Sequence, residues 1–237
     1  MTPPLIVIPA HNECATIERV IIDLREYGFD NILVVDDAST DNTLELAKNC
    51  GVIVMSMPFN VGAWKATQAG LRYAKEKGVE YAITFDADGQ HLASELKKLV
   101  EHQQRINDDI IIGSCISRGT LARHIAWKLF RKLSGLSIND LTSGLRLYNR
   151  RAIEVLSRKE ATLIEYQDVG VLLLLRSFKI SKGEIDVKMA ERSAGISRIF
   201  HSWGAVFYYM AYTTLLCFSK LAKTNQLISA PRRSSKD

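Results

Sequence analysis

The sequence of 237 residues has little of what marks several common protein classes. Its cysteines are few and scattered, without a CxxC pair or the spacing of metal ligands: Cys14, Cys50, Cys115 and Cys217. This pattern does not indicate a disulfide framework, and it fits a reducing compartment. Residues 1–4 lack the basic start of a signal peptide and lead directly into an apolar run. We therefore expect the main part of the chain to stay in the cytoplasm.

Glycine is missing from the turn after the first predicted strand, where the sequence is Pro9-Ala10-His11-Asn12-Glu13. An oxidoreductase on a doubly wound sheet needs a glycine-rich turn at this point, because its backbone must approach the pyrophosphate closely. A sugar-phosphate nucleotidylyltransferase typically has a loop rich in glycine and arginine there. Both enzyme classes are therefore excluded.

The sequence also lacks the signs of a nucleic-acid-binding protein. Its net charge is +5, but no aromatic residues alternate with the basic ones on one face, and no known binding module is present. The anionic phosphates of a small ligand and of a membrane account for the same charges. The basic residues gather in the second half of the chain: Arg118, Arg123, Lys128, Arg131, Lys132, Arg192, Arg198, Lys220, Lys223, Arg232, Arg233 and Lys236.

The longest uncharged apolar segment, Trp203–Phe218, is too short to span a membrane, because a spanning helix needs about 20 residues. Its tryptophan and tyrosine content and its basic flanks are typical of a helix lying in the headgroup region of an anionic membrane. The alternatives are a helix packed on the sheet or on a second subunit, and a true spanning helix. We predict a cytoplasmic protein that is peripherally associated with a membrane.

Apolar runs and amphipathic segments alternate along the first hundred residues. This rhythm predicts an α/β fold with a doubly wound, mainly parallel sheet and helices on both faces. We expect one domain over residues 1–200, followed by a C-terminal apolar or amphipathic helix and a basic tail over residues 201–237. The predicted strands are Leu5–Ile8, Ile32–Val35, Val52–Met55, Tyr81–Phe85 and Ile110–Ile112. The predicted helices are Cys14–Tyr27, Thr43–Asn49, Gly62–Lys77, Ser94–Arg105, Arg123–Leu133 and a buried one at Gly170–Leu175.

Pairs of aspartates follow two of these strands: Asp36 with Asp37, and Asp86 with Asp88. Ligands of open parallel sheets lie outside the carboxyl ends of the strands, so both pairs face one crevice. Two carboxylates one residue apart, followed by the amide of Gln90, suit a hard divalent cation that also binds substrate phosphates. Helix capping is the alternative, and we favour it for Ser39 and Asp41 but not for Asp86 and Asp88.

Three segments then resemble family 2 glycosyltransferases: Ile8–Glu13, Val34–Asp41 and Asp86–His91. The resemblance is strongest to the branch of dolichol-phosphate mannose synthase and the bacterial polyprenyl-phosphate sugar transferases. Two later segments, Asp140–Arg146 and Glu191–Arg198, extend it in the same order. The resemblance implies a GT-A-type fold with a C-terminal amphipathic helical extension. It also implies a metal-dependent, inverting transfer of a sugar from a nucleotide donor.

The resemblance implies a donor site built mainly from these motifs. Mg²⁺ or Mn²⁺ would be held by Asp88, with Gln90 and Asp86 next, although Asp86 could instead hydrogen-bond the ribose. Asp37 would contact the base or the ribose, and His11 could stack on the base or be a plain loop residue. The predicted nucleotide-sugar contacts are Pro9, His11, Glu13, Val35, Asp37, Asp86, Ala87, Arg118, Arg192 and Ser197.

The chain departs from the family pattern at two donor-side positions. Trp64 stands where relatives have a glycine, and it could reshape the pocket or pack beneath it. Relatives often have an arginine after a Gly-Ser pair, but here Cys115 follows Gly113-Ser114. Arg118 could supply that charge, with Arg123 or Arg131 as alternatives.

Arg192 lies in a segment that resembles an arginine-containing lid over the donor diphosphate, a contact for which a guanidinium is well suited. The acceptor side lacks a clear match to the Glu-Asp base of family members that glycosylate sugar hydroxyls. A sugar hydroxyl needs a general base, whereas a phosphate monoester is already anionic at neutral pH. Asp140 is the best remaining candidate for orienting the acceptor or acting as base, with a turn-capping role as the alternative. Arg146 could bind the acceptor phosphate or be structural.

We therefore predict transfer of a sugar from a UDP or GDP donor to polyprenyl phosphate at an anionic membrane surface. One alternative is transfer to a glycan or protein hydroxyl. The other is a non-catalytic homologue that binds nucleotide without turnover.

Overall fold

The computed structural model describes residues 2–115, 128, 130–165, 168–190 and 211–215. Within this part of the chain, seven strands form one mixed sheet in the order β3-β2-β1-β4-β6-β5-β7. The strands are β1 (Leu5–Ala10), β2 (Ile32–Asp36), β3 (Ile53–Ser56), β4 (Tyr81–Thr84), β5 (Ile110–Ser114), β6 (Arg146–Asn149) and β7 (Lys182–Asp186). The helices are α1 (Ile17–Glu26), α2 (Thr43–Asn49), α3 (Ala63–Glu76), α4 (Leu96–Ile106), α5 (Arg150–Leu156), α6 (Lys159–Thr162) and α7 (Val169–Ser177), with a 3₁₀ turn at Ala93–Glu95.

The strand pairing confirms the mainly parallel sheet. Strands β1 to β4 pair in parallel, as do β5 and β7. Strand β6 is antiparallel to both of its neighbours, β4 and β5. The sequence analysis missed both β6 and β7, because they follow a stretch in which the alternation of strand and helix has loosened.

Helices cover both faces of the sheet, as the alternation of strand and helix predicts. Along β1, Leu5 and Val7 pack into one core with α3, α5 and α7, whereas Ile6 and Ile8 pack into the other with α1, α2 and α4. This period of two is what a strand buried on both faces requires. A Cβ added at Gly70 of α3 would collide with Val7, so the glycine lets α3 lie directly on β1.

The helix predicted at Cys14–Tyr27 is shorter in the structure. Helix α1 begins at Ile17, not at Cys14, because a preceding turn directs the amides of Thr16 and Ile17 to the carbonyl of Glu13. The apolar run at Gly170–Leu175 is a buried helix, as predicted, within α7. Of the predicted helix at Arg123–Leu133, the structure describes only the C-terminal part, and residues 130–134 are helical.

Most of the segment Trp203–Phe218 lies outside the described residues. Its described turn, residues 211–215, is helical, and the Tyr212 hydroxyl accepts a hydrogen bond from the Glu165 amide at 3.2 Å. Thr213 is buried and Leu215 is 70% exposed. None of the helices described by the structure is long and apolar enough to cross a bilayer.

Candidate active site

The three motifs that follow β1, β2 and β4 meet at one edge of the sheet. Because β1 pairs with β2 on one side and with β4 on the other, the carboxyl ends of the three strands are adjacent. The Asn12 amide donates to the Ser39 hydroxyl at 3.0 Å, and the Thr40 amide donates to the Asn12 side chain at 2.8 Å. These contacts fasten the loop after β1 to the loop after β2. The carboxyl ends of these strands are therefore adjacent, as predicted, but Asp36 and Asp37 are buried, so of the two acidic pairs only Asp86 and Asp88 are open to solvent.

Asp86 and Asp88 lie in the turn after β4. The carboxylate of Asp86 is 41% exposed, and Asp88 is partly buried. The amide of Gln90 donates to Oδ1 of Asp88 at 3.0 Å, which orders the turn. The turn reverses at Gly89, whose φ of +74° favours glycine. Both carboxylates are thus presented at the crevice.

A buried histidine lies behind Asp86, and the sequence analysis did not single it out. The side chain of His91 is fully buried, and its ring meets Phe85 edge-on with 5.3 Å between the centroids. The Asp86 amide donates to Nδ1 of His91 at 3.1 Å, and Nε2 lies 3.4 Å from Oδ2 of Asp86. The same imidazole therefore contacts both the backbone and the carboxylate of Asp86.

The loop at residues 139–145, called here the acceptor loop after the role predicted for it, also approaches Asp86. A Cβ at Gly144 would lie 2.8 Å from each carboxylate oxygen of Asp86, so only a glycine allows this approach. The Thr84 hydroxyl donates to the Gly144 carbonyl at 2.6 Å, and the Ser143 hydroxyl donates to the Gly113 carbonyl at 2.5 Å. Strands β4 and β5 thereby hold the acceptor loop against the acidic turn.

Asp140 sits at the base of the acceptor loop and is completely buried. Its Oδ1 accepts from the amide and hydroxyl of Thr142, and its Oδ2 accepts from the amide of Cys115. Glu184 on β7 in turn accepts hydrogen bonds from the amides of Asn139 and Asp140 at 2.9 to 3.0 Å. This geometry favours the turn-capping alternative for Asp140 over the role of base.

Arg146 is fully buried, and its guanidinium donates to the carbonyls of Leu141 and Ser143. The structure therefore supports the structural alternative for Arg146 and not a phosphate contact. Trp64 is also buried, with its indole nitrogen donating to the Ala161 carbonyl at 2.8 Å. Trp64 is therefore packed in the core, which favours the packing alternative over a reshaped pocket.

In the loop after β2, both carboxylate oxygens of Asp37 accept backbone amides of the two residues that precede α3. Val61 donates to Oδ1 at 2.7 Å and Gly62 donates to Oδ2 at 2.9 Å. His11 is bonded to the same residue, because its Nδ1 donates to the backbone carbonyl of Asp37 at 2.7 Å. Asp37 is 3% exposed, so its contact with a base or ribose stays a prediction.

Asp41 anchors the start of α2 and the turn before α1. Its carboxylate accepts from the amide and hydroxyl of Thr43 and from the amide of Cys14. Partial burial alone would raise the pKa of Asp41, but hydrogen bonds from Thr43 and Cys14 outweigh it and lower the pKa to about 2. Ser39 does not cap the helix, contrary to the prediction, because its hydroxyl receives the Asn12 amide.

The remaining predicted donor contacts are distributed unevenly. Pro9 and Glu13 are partly exposed beside the crevice, whereas the side chains of Val35 and Ala87 are buried in the core. Arg118, Arg192 and Ser197 lie outside the described residues. The two residues before the segment Glu191–Arg198 lie at the acidic turn. Met189 forms a β-bridge with His91, and the Ala190 amide donates to the Gln90 carbonyl at 2.9 Å.

The donor chemistry of Asp86, Asp88 and Gln90 fits a hard divalent cation that takes its other ligands from phosphates and water. Among the described residues, no group of three or more His, Cys, Asp and Glu side chains could hold a metal ion by itself. The site therefore offers two carboxylates rather than a complete protein cage.

Comparison with protein families decides the assignment. Residues 5–159 match the family described as "Glycosyl transferase family 2". The chain belongs to glycosyl transferase family 2. It is therefore a glycosyltransferase by descent, and the resemblance that its motifs carry is confirmed.

Two curated members of the family align over most of this glycosyltransferase. The UDP-N-acetylglucosamine–dolichyl-phosphate N-acetylglucosaminyltransferase of Methanococcus voltae is 31% identical, over 77% of this chain and 84% of its own length. The polyprenol monophosphomannose synthase of Mycolicibacterium smegmatis is 28% identical, over 82% of this chain and 80% of its own length. The similarity thus extends through the acceptor loop.

The fold of the glycosyltransferase is also that of solved structures. Glucosyl-3-phosphoglycerate synthase from Mycobacterium tuberculosis, solved with Mn²⁺, UDP and glucosyl-3-phosphoglycerate, gives a TM-score of 0.68 at 19% identity. The match covers 92% of this chain and 80% of that one. The GT-A-type α/β fold is therefore confirmed.

Proposed function

We propose that this glycosyltransferase moves a sugar from a UDP- or GDP-sugar to a polyprenyl phosphate, with inversion and with Mg²⁺ or Mn²⁺ as cofactor. The observation that carries the proposal is the contact between the acceptor loop and the acidic turn. Gly144 lies against the carboxylate of Asp86, and Thr84 ties the two segments together. A donor held at the acidic turn and an acceptor held by the loop are thereby brought to the same point.

The acidic turn would hold the cofactor through Asp88, Asp86 and Gln90. When bound, a divalent cation neutralises the charge that develops on the leaving diphosphate. Glycosyltransferases solved with Mn²⁺ and UDP share this fold, which supports the choice of cofactor and leaves GDP as an alternative nucleotide.

The donor's base and ribose would lie over the loops that follow β1 and β2. His11 and Asp37 are fixed to each other there, and Asp37 also orients the start of α3. Arg192 and Ser197 would close over the diphosphate. Arg192 follows Ala190 by two residues, and Ala190 is hydrogen-bonded to Gln90 in the acidic turn. Arginine suits bidentate contact with phosphate oxygens.

A phosphate acceptor fits the geometry of Asp140. Both oxygens of its carboxylate are occupied by amides and a hydroxyl, and the side chain is completely buried. A sugar hydroxyl would need a carboxylate that can take its proton, whereas a phosphate monoester is already anionic near neutral pH. The dolichyl-phosphate and polyprenol names of two relatives support the same acceptor class.

A lipid acceptor also places the site near a membrane. The uncharged segment Trp203–Phe218 and the basic residues around it would lie against anionic headgroups. Co-sedimentation with anionic but not with neutral vesicles tests this part of the proposal, and equal binding to both would contradict it.

Nucleotide release from a panel of UDP- and GDP-sugars, with Mn²⁺ or Mg²⁺ and with a short polyprenyl phosphate, tests the proposed function. We expect release to need both the metal and the lipid, and we expect Asp88→Asn to lower it by at least about 100-fold. The matched control is Asp30→Asn, because Asp30 is exposed at the amino ends of the strands. Release that ignores the lipid but responds to a glycan would favour the hydroxyl acceptor. No release from any donor would favour a non-catalytic homologue.

A further inference from the structure

His91 is the one residue of the acidic turn that is buried behind Asp86 and for which neither the motif nor the proposed reaction gives a role. It is 3% exposed, and its side chain is fully enclosed. Imidazoles in protein cores usually pair both nitrogens, because an unpaired buried polar atom is costly. Among the described residues, however, Nε2 of His91 has no partner that meets hydrogen-bond geometry.

The other ring nitrogen fixes the tautomer of His91. Nδ1 accepts the Asp86 amide at 3.1 Å, so it carries no proton. In the neutral ring the proton is therefore on Nε2. That N–H lies 3.4 Å from Oδ2 of Asp86.

Asp86 thus has two close neighbours. The buried His91 lies 3.4 Å from its Oδ2, and Gly144 of the acceptor loop approaches both of its oxygens. The ring of His91 meets Phe85 edge-on, and an isolated β-bridge to Met189 fixes the backbone of His91. A rigid donor placed beside an exposed carboxylate restricts the orientations that the carboxylate can adopt.

We infer that His91 is a positioning residue, which orients the Asp86 carboxylate for the divalent cation through its Nε2–H. The inference rests on the proposed function, because it presupposes that Asp86 is a metal ligand. Groups that orient metal ligands in this way change metal affinity by about 10- to 100-fold when they are removed.

Two substitutions separate the donor from the rest of the ring. His91→Asn keeps an acceptor near the position of Nδ1, for the Asp86 amide, but has no donor that reaches Oδ2. His91→Gln carries its amide nitrogen near the position of Nε2 and can donate to Oδ2. A merely structural histidine would not distinguish the two variants in this order.

The experiment titrates Mn²⁺ into the full-length protein in the presence of UDP or GDP and follows free Mn²⁺ by electron paramagnetic resonance. We expect affinity for Mn²⁺ to fall by about tenfold or more in His91→Asn and to stay within about threefold of the original in His91→Gln. The matched control is His102→Asn on α4, where His102 faces the start of β7 rather than the acidic turn. Circular dichroism and thermal unfolding show which variants are folded.

Four outcomes contradict the inference in different ways. Unchanged Mn²⁺ affinity in a folded His91→Asn variant overturns it and leaves the proposed function standing. Equal losses in the Asn and Gln variants overturn it as well, because only packing would then matter. If His91→Asn does not fold, a tenfold loss in His91→Gln overturns it. Absence of Mn²⁺ binding to the unsubstituted protein with either nucleotide would remove both the inference and the metal-dependent part of the proposed function.

Discussion

Single residues at the carboxyl edge of the sheet act mostly by holding one another in place. Asp37, Asp41 and Asp140 are carboxylates whose oxygens receive backbone amides from other segments. Asp86 differs, because its carboxylate is 41% exposed. The same residue type therefore fastens loops at three positions and presents charge to the crevice at the fourth.

The sequence predicted the exposed acidic turn well but could not separate these roles. A run of Asp-x-Asp after an apolar strand is a local pattern, so Asp86 and Asp88 were found. The partners of Asp37 lie 24 and 25 residues away, and those of Asp140 include Cys115, 25 residues away. Such contacts depend on strand order, which the sequence does not display. Burial of His91 escaped notice for the same reason.

Asp41 gives a prediction for stability against pH. Its pKa lies at about 2 in the folded protein and at 3.8 for the ordinary group, so its contribution is full above pH 3.8 and is lost as the pH falls through 2. We expect Asp41→Asn to lower the free energy of unfolding by about 1 kcal/mol near neutral pH. Urea unfolding between pH 7 and the acid limit measures this difference.

The difference between the original protein and Asp41→Asn should narrow as the pH falls below 3.8, because the unfolded carboxyl is then protonated. The control is Glu45→Gln, an exposed acid of α2 that pairs with Lys48 in the same helix. A constant difference across the whole pH range would contradict the assigned role of Asp41.

At the scale of elements, the acceptor loop depends on strand β7 at the edge of the sheet. Glu184 of β7 accepts the amides of Asn139 and Asp140 and the side-chain amide of Asn139. Strand β7 pairs in parallel with β5. The Ser143 hydroxyl of the acceptor loop donates a hydrogen bond to the carbonyl of Gly113 in β5. The last strand thus positions the loop that faces Asp86.

We predict that Glu184→Gln weakens this support without altering the donor site. The glutamine keeps one acceptor oxygen but loses charge-assisted bonds to two amides, so the free energy of unfolding should fall by about 1 to 2 kcal/mol. We also expect kcat to fall by about tenfold while the Kd for the donor nucleotide stays unchanged. Urea unfolding, steady-state kinetics and nucleotide titration provide the three measurements.

Asp186→Asn is the matched control for Glu184→Gln, because Asp186 is exposed at the end of the same strand. It should change neither stability nor turnover appreciably. An unaltered kcat in a folded Glu184→Gln variant would show that the acceptor loop does not need this anchor.

The elements themselves were predicted where their patterns are local. Strands β1 to β5 and helices α2 and α3 begin and end within two residues of their expected bounds. Strands β6 and β7 were missed, because segments of four and five residues carry too little periodic signal of their own. Local propensity therefore gave the βαβ part, and only tertiary pairing defines the second half of the sheet.

On the scale of the whole molecule, one end of the sheet gathers the donor loops, the acidic turn and the acceptor loop. The chain enters the lid segment from that end through Ala190, which is bonded to Gln90. Family membership establishes glycosyl transfer, and the relatives support a lipid phosphate as acceptor. The domain boundary at residue 200 and the membrane contact of Trp203–Phe218 stay predictions.

The acceptor is the central claim of this account, and a comparison of two lipids tests it most directly. A radiolabelled donor identified from the panel is incubated with the protein, Mn²⁺ and either a polyprenyl phosphate or the polyprenol of the same chain length. We predict label in the organic phase with the phosphate and none with the alcohol, because only the phosphate is a nucleophile without a base. Transfer to the polyprenol, or label that appears only on an added glycan, would contradict the account.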